Sequence, residues 1–102
     1  AHGLYDAARK LFYFETKEVL HGEIVAVGIL MQMSYNECKQ KEIDKFRELM
    51  LQLNVPTTLS QIGIPCNGES LQIIKDYLVV ATGLDSEEKI EKLDSSIEQV
   101  ID

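Results

Sequence analysis

Residues 21–30 read His21-Gly22-Glu23-Ile24-Val25-Ala26-Val27-Gly28-Ile29-Leu30, and Met31 extends the apolar run. Apolar side chains occur on all faces of a helical wheel here, which predicts a buried helix from Gly22 to about Tyr35. A β-strand is the competing interpretation because Ile and Val crowd the first half, but the run is too long for an ordinary buried strand. We therefore expect a central helix.

Helical periodicity continues on both sides of this segment. Apolar residues spaced three and four apart predict a helix from about Gly3 to Phe14, followed by a polar surface connection over residues 15–18. Another helix is predicted to end near Asn54, because Pro56 disfavours the helical conformation in the residue before it. The apolar stripe of this helix, the third along the chain, consists of Ile43, Phe46, Leu49, Met50 and Leu53.

A short helical turn and a longer helix are predicted beyond Pro56. Thr57 or Thr58 can cap the short turn, which Gly63 closes. The residues at positions 65–68 are typical of a turn. The next helix is predicted from about Ser70 until Gly83 stops it.

The last predicted helix has two possible starts. Ser86 before acidic residues is typical of a capped helix, but Asp94 or Ser95 could serve equally well. No segment alternates with period two, and none repeats. The predicted fold class is therefore all-α, a helical bundle in which residues 1–102 form a single domain.

The acidic net charge of the chain limits the classes of partner that it can bind. The formal net charge is -7 and the pI is about 4.7, so the average surface repels phosphate backbones and anionic lipids. We expect no nucleic acid and no membrane as partners, because the longest apolar run is also far shorter than the roughly 20 residues of a membrane span. Without a signal-peptide pattern, a cytoplasmic location is expected.

Phe12, Tyr13 and Phe14 are three adjacent aromatic residues next to Arg9 and Lys10. Base stacking is one interpretation of such a cluster, but the acidic net charge favours core packing. Adjacent residues on a helix cannot all face one core. Some of the three rings should therefore be exposed or meet a partner.

The two cysteines, Cys38 and Cys66, form no CxxC pair and have no zinc-ligand spacing. We expect two reduced thiols of minor structural importance. The sequence also lacks GxGxxG, GxxxxGK[ST] and GxSxG motifs. No catalytic residue and no cofactor-binding residue is predicted from these patterns.

His2 and His21 are the only histidines, and imidazole is the commonest metal ligand in proteins. Judged from the residues alone, His21 is more simply a helix-start histidine bonded to nearby backbone, and His2 a terminal residue. A metal-ligand role is the alternative for both.

Two ordered segments resemble the C-terminal helical domain of glycerol dehydrogenases, within the dehydroquinate synthase-like/iron-containing alcohol dehydrogenases. His21 to Gln32 is similar to the family's HGE-[KI]-V-A-x-G-x-L-x-Q helix, and Leu53 to Gly63 is similar to its GLPTTLxQIG segment. The start at Ala1-His2 resembles the beginning of the family's AHAxHNG motif. The resemblance is clear over residues 2–64 and fades beyond them.

The resemblance implies that His2 and His21 are ligands of a catalytic zinc. It also implies an α/β domain that binds NAD, and a third metal ligand, an Asp, which lie outside these 102 residues. Tyr5 and Asp6 stand where the family has a second His and an Asn, and residues 87–94 replace a segment carrying IHNMP. We expect a fragment or truncated protein in which zinc binds weakly and NAD does not bind.

Two classes of function follow. The first is the metal- and substrate-binding half of an NAD-dependent polyol or alcohol oxidoreductase, inactive without a separate NAD-binding domain. The second is a non-catalytic helical module that self-associates, for example as a dimer, through exposed aromatic side chains. A remnant with no selected role remains a third interpretation.

Overall fold

A computed structural model describes residues 2–101, with His2 described by its backbone alone. No strand occurs in this range, which confirms the predicted all-α class. A 3₁₀ turn spans Ser60–Ile62 between the fourth and fifth helices. The six α-helices are α1 (His2–Leu11), α2 (Tyr13–Thr16), α3 (His21–Tyr35), α4 (Gln40–Gln52), α5 (Gly68–Thr82) and α6 (Glu87–Glu98).

Helix α3 is central, as its apolar sequence predicts. It packs against α1, α4 and α6. The side chains of Ile24, Val27 and Leu30 are completely buried. Burial of branched side chains of this size stabilises a fold by about 1.5–3 kcal/mol each, so α3 anchors the hydrophobic core.

The prediction of one continuous helix from Gly3 to Phe14 is wrong. The backbone of Phe12 leaves the helical region (φ -131°, ψ 45°), and a separate short helix α2 follows. The break turns the Phe12 ring into the core, where it is 7% exposed. Local periodicity could not show this turn because the apolar pattern continues across it.

The polar segment after α1 is not simply a surface connection. Thr16 is fully buried, and its hydroxyl donates to the carbonyl oxygen of Phe12 at 2.8 Å. A second contact joins the same hydroxyl to the carbonyl oxygen of Ala8 at 3.3 Å. These bonds satisfy the hydroxyl within the core and join α2 to the end of α1.

The apolar stripe predicted for α4 is correct only in part. Ile43 and Met50 are buried and Phe46 is half-buried, but Leu49 and Leu53 are exposed. The main helix partner of α4 is α3, so a narrow apolar stripe suffices.

The predicted helix boundaries of the second half are largely confirmed. Asn67 accepts a hydrogen bond from the Ser70 backbone and caps α5 two residues earlier than predicted. Gly83 ends α5 with a left-handed conformation (φ 68°). Ser86 accepts from the Lys89 backbone and starts α6, which runs through the alternative start near Asp94.

Residues 56–63 form a junction between distant parts of the chain. The Leu59 backbone donates to the carbonyl oxygen of Val100 at 2.9 Å, which connects the 3₁₀ turn to the segment after α6. Gly63 closes the turn with φ 95°, as predicted, and lies against the backbone of Glu15. The junction therefore couples α2 to the C-terminal segment.

Cys38 and Cys66 are both half-buried free thiols, as the sequence predicts. Within the described residues, no helix has the length and apolar character required to cross a membrane.

Candidate metal site

His21 lies in the first turn of α3, on the exposed surface. The preceding Leu20 backbone N–H donates to the carboxylate of Glu23 at 3.0 Å. This bond satisfies one of the unpaired groups next to the helix start and places a negative charge near the positive end of the helix dipole. The start of α3, and with it the position of His21, is fixed by local capping.

The His21 ring packs against Tyr5 of α1. The two ring centroids lie 4.2 Å apart, with their planes inclined by 55°. The two rings are therefore in direct contact in a tilted arrangement. Because the lone pair of an imidazole nitrogen lies in the ring plane, this contact orients the ring without ruling out coordination of a metal.

Arg9 also contacts the Tyr5 ring. Its guanidinium carbon lies 5.3 Å from the centroid of the Tyr5 ring, within the range of a cation–π contact. The guanidinium also donates to the carbonyl oxygens of Thr16 and Val19, the latter at 2.6 Å. Arg9 thus joins α1 to the connection that leads into His21.

The described side chains include one imidazole and no complete set of metal ligands. No group of three or more His, Cys, Asp or Glu side chains suitable for a metal is present among the described residues. The predicted partner ligand, the His2 side chain, lies outside what the structure describes. His21 fits a single ligand position by its exposure and chemistry, whereas a catalytic zinc takes three protein ligands.

The helix dipole weakens any cation site at this place. His21 is at the positive end of α3, and a cation near such an end is disfavoured by about 0.3–1 kcal/mol. The Glu23 carboxylate opposes this effect in part.

A cleft of about 270 Å³ lies elsewhere on the bundle and was not predicted from the sequence. It is bounded by α1, α3, α5 and α6, and neither His21 nor Tyr5 lines it. The small size of Gly28 was visible in the sequence, but periodicity cannot show that helices far apart in the chain leave a space beside it. The lining residues are Gly3, Leu4, Gly28, Met31, Gln32, Tyr35, Leu78, Thr82, Leu84, Leu93 and Ser96.

The aromatic cluster at the break between α1 and α2 divides as predicted. Phe12 is buried, whereas Tyr13 is 54% exposed and Phe14 is 78% exposed. The exposed rings contact each other edge to face, with centroids 5.5 Å apart. Tyr13 and Phe14 therefore form an exposed aromatic pair, and both precede His21 closely in the sequence.

The chain is similar to glycolaldehyde reductase of Halobacterium salinarum, with 33% identity over 64 residues. The alignment covers 63% of this chain but only 17% of the relative, so the chain spans about a sixth of that protein's length. No family model matches the chain, and no solved structure matches it. The similarity supports a relationship to the iron-containing alcohol dehydrogenase superfamily. It does not single out the glycerol dehydrogenases.

Proposed function

We propose that this chain is the helical metal- and substrate-binding domain of a glycerol dehydrogenase-like NAD-dependent oxidoreductase. The position of His21 is the observation on which the proposal rests: an exposed imidazole at the start of the central helix, oriented by Tyr5. The similarity to a named reductase supports the same chemical class. Glycerol or another polyol as substrate comes from the sequence resemblance.

In this proposal His21 and His2 are two ligands of a zinc ion. Zinc in such a site acts as a Lewis acid on the substrate oxygen. Tyr5 fixes the orientation of the His21 ring, and Arg9 fixes Tyr5 and the connection before α3. Two imidazoles are fewer ligands than a catalytic zinc takes, so this chain alone would bind zinc weakly.

NAD is proposed to bind to a separate domain. The sequence has no glycine-rich phosphate-binding motif, and the described residues form a bundle of helices. Hydride transfer then requires both partners, because the metal and the nicotinamide have different tasks. The chain by itself is proposed to be inactive on alcohols.

A calorimetric zinc titration tests the metal site. We expect weak saturable binding to the chain and its loss in both His2→Ala and His21→Ala. A Cys38→Ser/Cys66→Ser double variant is the matched control, since thiolates are the other strong zinc ligands in this chain. Binding that persists without either histidine, or that disappears with the cysteines, would contradict the proposed ligand set.

The activity proposal has its own measurement. NADH formation is followed at several zinc concentrations with glycerol and NAD as substrates. No turnover is expected from the chain alone. Turnover above that of a His21→Ala variant would overturn the proposal that a separate domain is required.

Self-association is the second candidate, and the exposed pair Tyr13 and Phe14 favours it. A second copy of this chain would cover these rings. Sedimentation of the chain and of Phe14→Ser tests this candidate, with Val80→Ser as the control, because Val80 is 82% exposed on α5. A concentration-dependent dimer that only Phe14→Ser dissociates supports it; a monomer at high concentration contradicts it.

A further inference from the structure

The cleft between α1, α3, α5 and α6 has the composition of a small-molecule site. Its walls are largely apolar and include Leu4, Met31 and Leu78, which are buried. Its volume of about 270 Å³ is close to the lower end of the range for ligand pockets, about 300–1,000 Å³. The methionine side chain is flexible and can adapt to different ligand shapes.

A small number of polar groups face this cleft. The half-buried Tyr35 has no hydrogen-bond partner for its hydroxyl group among the described residues. The hydroxyls of Thr82 and Ser96 donate to the carbonyl oxygens of Leu78 and Leu93, and their oxygens can still accept. The cleft therefore offers one phenolic donor, two hydroxyl acceptors and the side-chain amide of Gln32.

None of the described side chains that line the cleft is charged. A charged ligand would lose hydration there without an ionic partner in the cleft lining itself, which is costly. A neutral ligand avoids this cost, and its apolar part gains from leaving water. Charge, size and hydrogen-bonding groups thus select the same class of molecule.

We propose that the cleft binds a small neutral molecule that is mostly apolar and carries one hydroxyl group, as a simple phenol does. The apolar part lies against Leu4, Met31 and Leu78, and the ligand hydroxyl accepts from the hydroxyl of Tyr35. Neither His21 nor Tyr5 lines the cleft. It can therefore be tested without zinc.

Titration of the ¹⁵N-labelled chain with 4-ethylphenol, followed by NMR, is the experiment. Saturable shifts are expected at the amides of Gly3, Gly28 and Leu93, with a Kd on the order of 1 mM or below, as for ligands of this size. Phenylacetate, an anion of similar size, should bind at least about tenfold more weakly. Absent or non-saturating shifts, or equal affinity for the anion, would overturn the proposal.

Two glutamine variants localise the binding. Gln32 is exposed on α3 at the cleft, and its side chain donates to Asn36 at 3.1 Å. Gln72 on α5 makes the corresponding contact to Asp76 but does not line the cleft. Gln32→Trp should reduce the affinity for 4-ethylphenol at least fivefold by covering the cleft, while Gln72→Trp should not change it. Thermal unfolding monitored by circular dichroism verifies that both variants fold. Equal effects in two folded variants would contradict binding in this cleft.

The hydroxyl contact has a separate readout. Tyr35→Phe removes the phenolic donor and keeps the ring. It should weaken the binding of 4-ethylphenol about fivefold, the usual effect of losing one hydrogen bond, and leave that of ethylbenzene unchanged. An equal loss for both ligands would contradict the proposed role of the hydroxyl.

Discussion

Gly63 packs so closely against Glu15 that a Cβ atom on Gly63 would lie 2.2 Å from the carbonyl oxygen of Glu15. Real Cβ atoms essentially never approach a neighbouring atom to that distance. The backbone at Gly63 is also left-handed, with φ 95°. This contact fixes α2 against the 3₁₀ turn, and through Leu59 and Val100 it extends to the C-terminal segment.

Replacement of Gly63 is therefore expected to destabilise the fold strongly. Gly63→Ala should lower the free energy of unfolding by about 3 kcal/mol or more, from strain in the left-handed region and from the clash with backbone. Urea unfolding measures this loss. The expected loss is a large fraction of the total stability of a small domain, which is roughly 5–15 kcal/mol.

Gly83→Ala separates the two causes. Gly83 also has a positive φ, 68°, but a Cβ there meets nothing within 4 Å. The expected loss is only about 1–2 kcal/mol, from the conformation alone. Similar losses at the two glycines would show that the contact with Glu15 is unimportant.

Gln61 is expected to hold the same junction together through its side-chain oxygen. That oxygen accepts from the backbone N–H of Thr57 at 2.7 Å and of Thr58 at 3.2 Å. Gln61→Ala should cost about 1–2 kcal/mol in unfolding free energy, as loss of a helix cap does, whereas Gln61→Glu keeps the acceptor and should cost less. Chemical denaturation of both variants measures the difference. Equal losses would mean that the side-chain packing, and not the acceptor, is responsible.

Arg9 is predicted to stabilise the segment that precedes His21 through the geometry of its guanidinium as well as through its charge. Arg9→Lys keeps the positive charge but cannot donate to the carbonyl oxygens of Thr16 and Val19 with a planar fork. We expect a loss of about 1–3 kcal/mol in thermal or urea unfolding. Lys10→Ala on the same helix is the control, since its ammonium only lies over the Tyr77 ring at 5.8 Å and should cost much less. A variant Arg9→Lys as stable as the parent chain would contradict this role.

Sequence patterns predict the elements of this fold well where local chemistry determines them. Ser86 and Gly83 mark helix ends by their capping chemistry, and the residues 24–31 are apolar enough to identify the central helix. The break at Phe12 has no such mark. It is accompanied by contacts that periodicity does not contain, among them the hydrogen bonds of Arg9 to the chain beyond the break.

The candidate sites show the same division. The exposed position of His21 at a helix start follows from the chain itself, but its contact with Tyr5 depends on how α1 crosses α3. The cleft depends on four helices at once. Its lining joins Gly3 to Ser96, residues that no local pattern relates.

The pair Asp85 and Lys89 at the start of α6 provides a test of electrostatics on the exposed surface. The hydrogen bond from the Lys89 ammonium at 3.1 Å, reinforced by its charge, lowers the pKa of Asp85 below its ordinary value of 3.8. A carboxyl with a lowered pKa stabilises the folded state above its unfolded pKa, and this contribution is lost as the pH falls through the folded value. Lys89→Met should raise the pKa of Asp85 in a carboxyl ¹³C NMR titration, while Lys92→Met should not, because Lys92 contacts Glu37 and Glu88 instead. An equal change of the Asp85 pKa in both variants would indicate a general charge effect. High salt should reduce the lowering of the Asp85 pKa, because the pair is exposed.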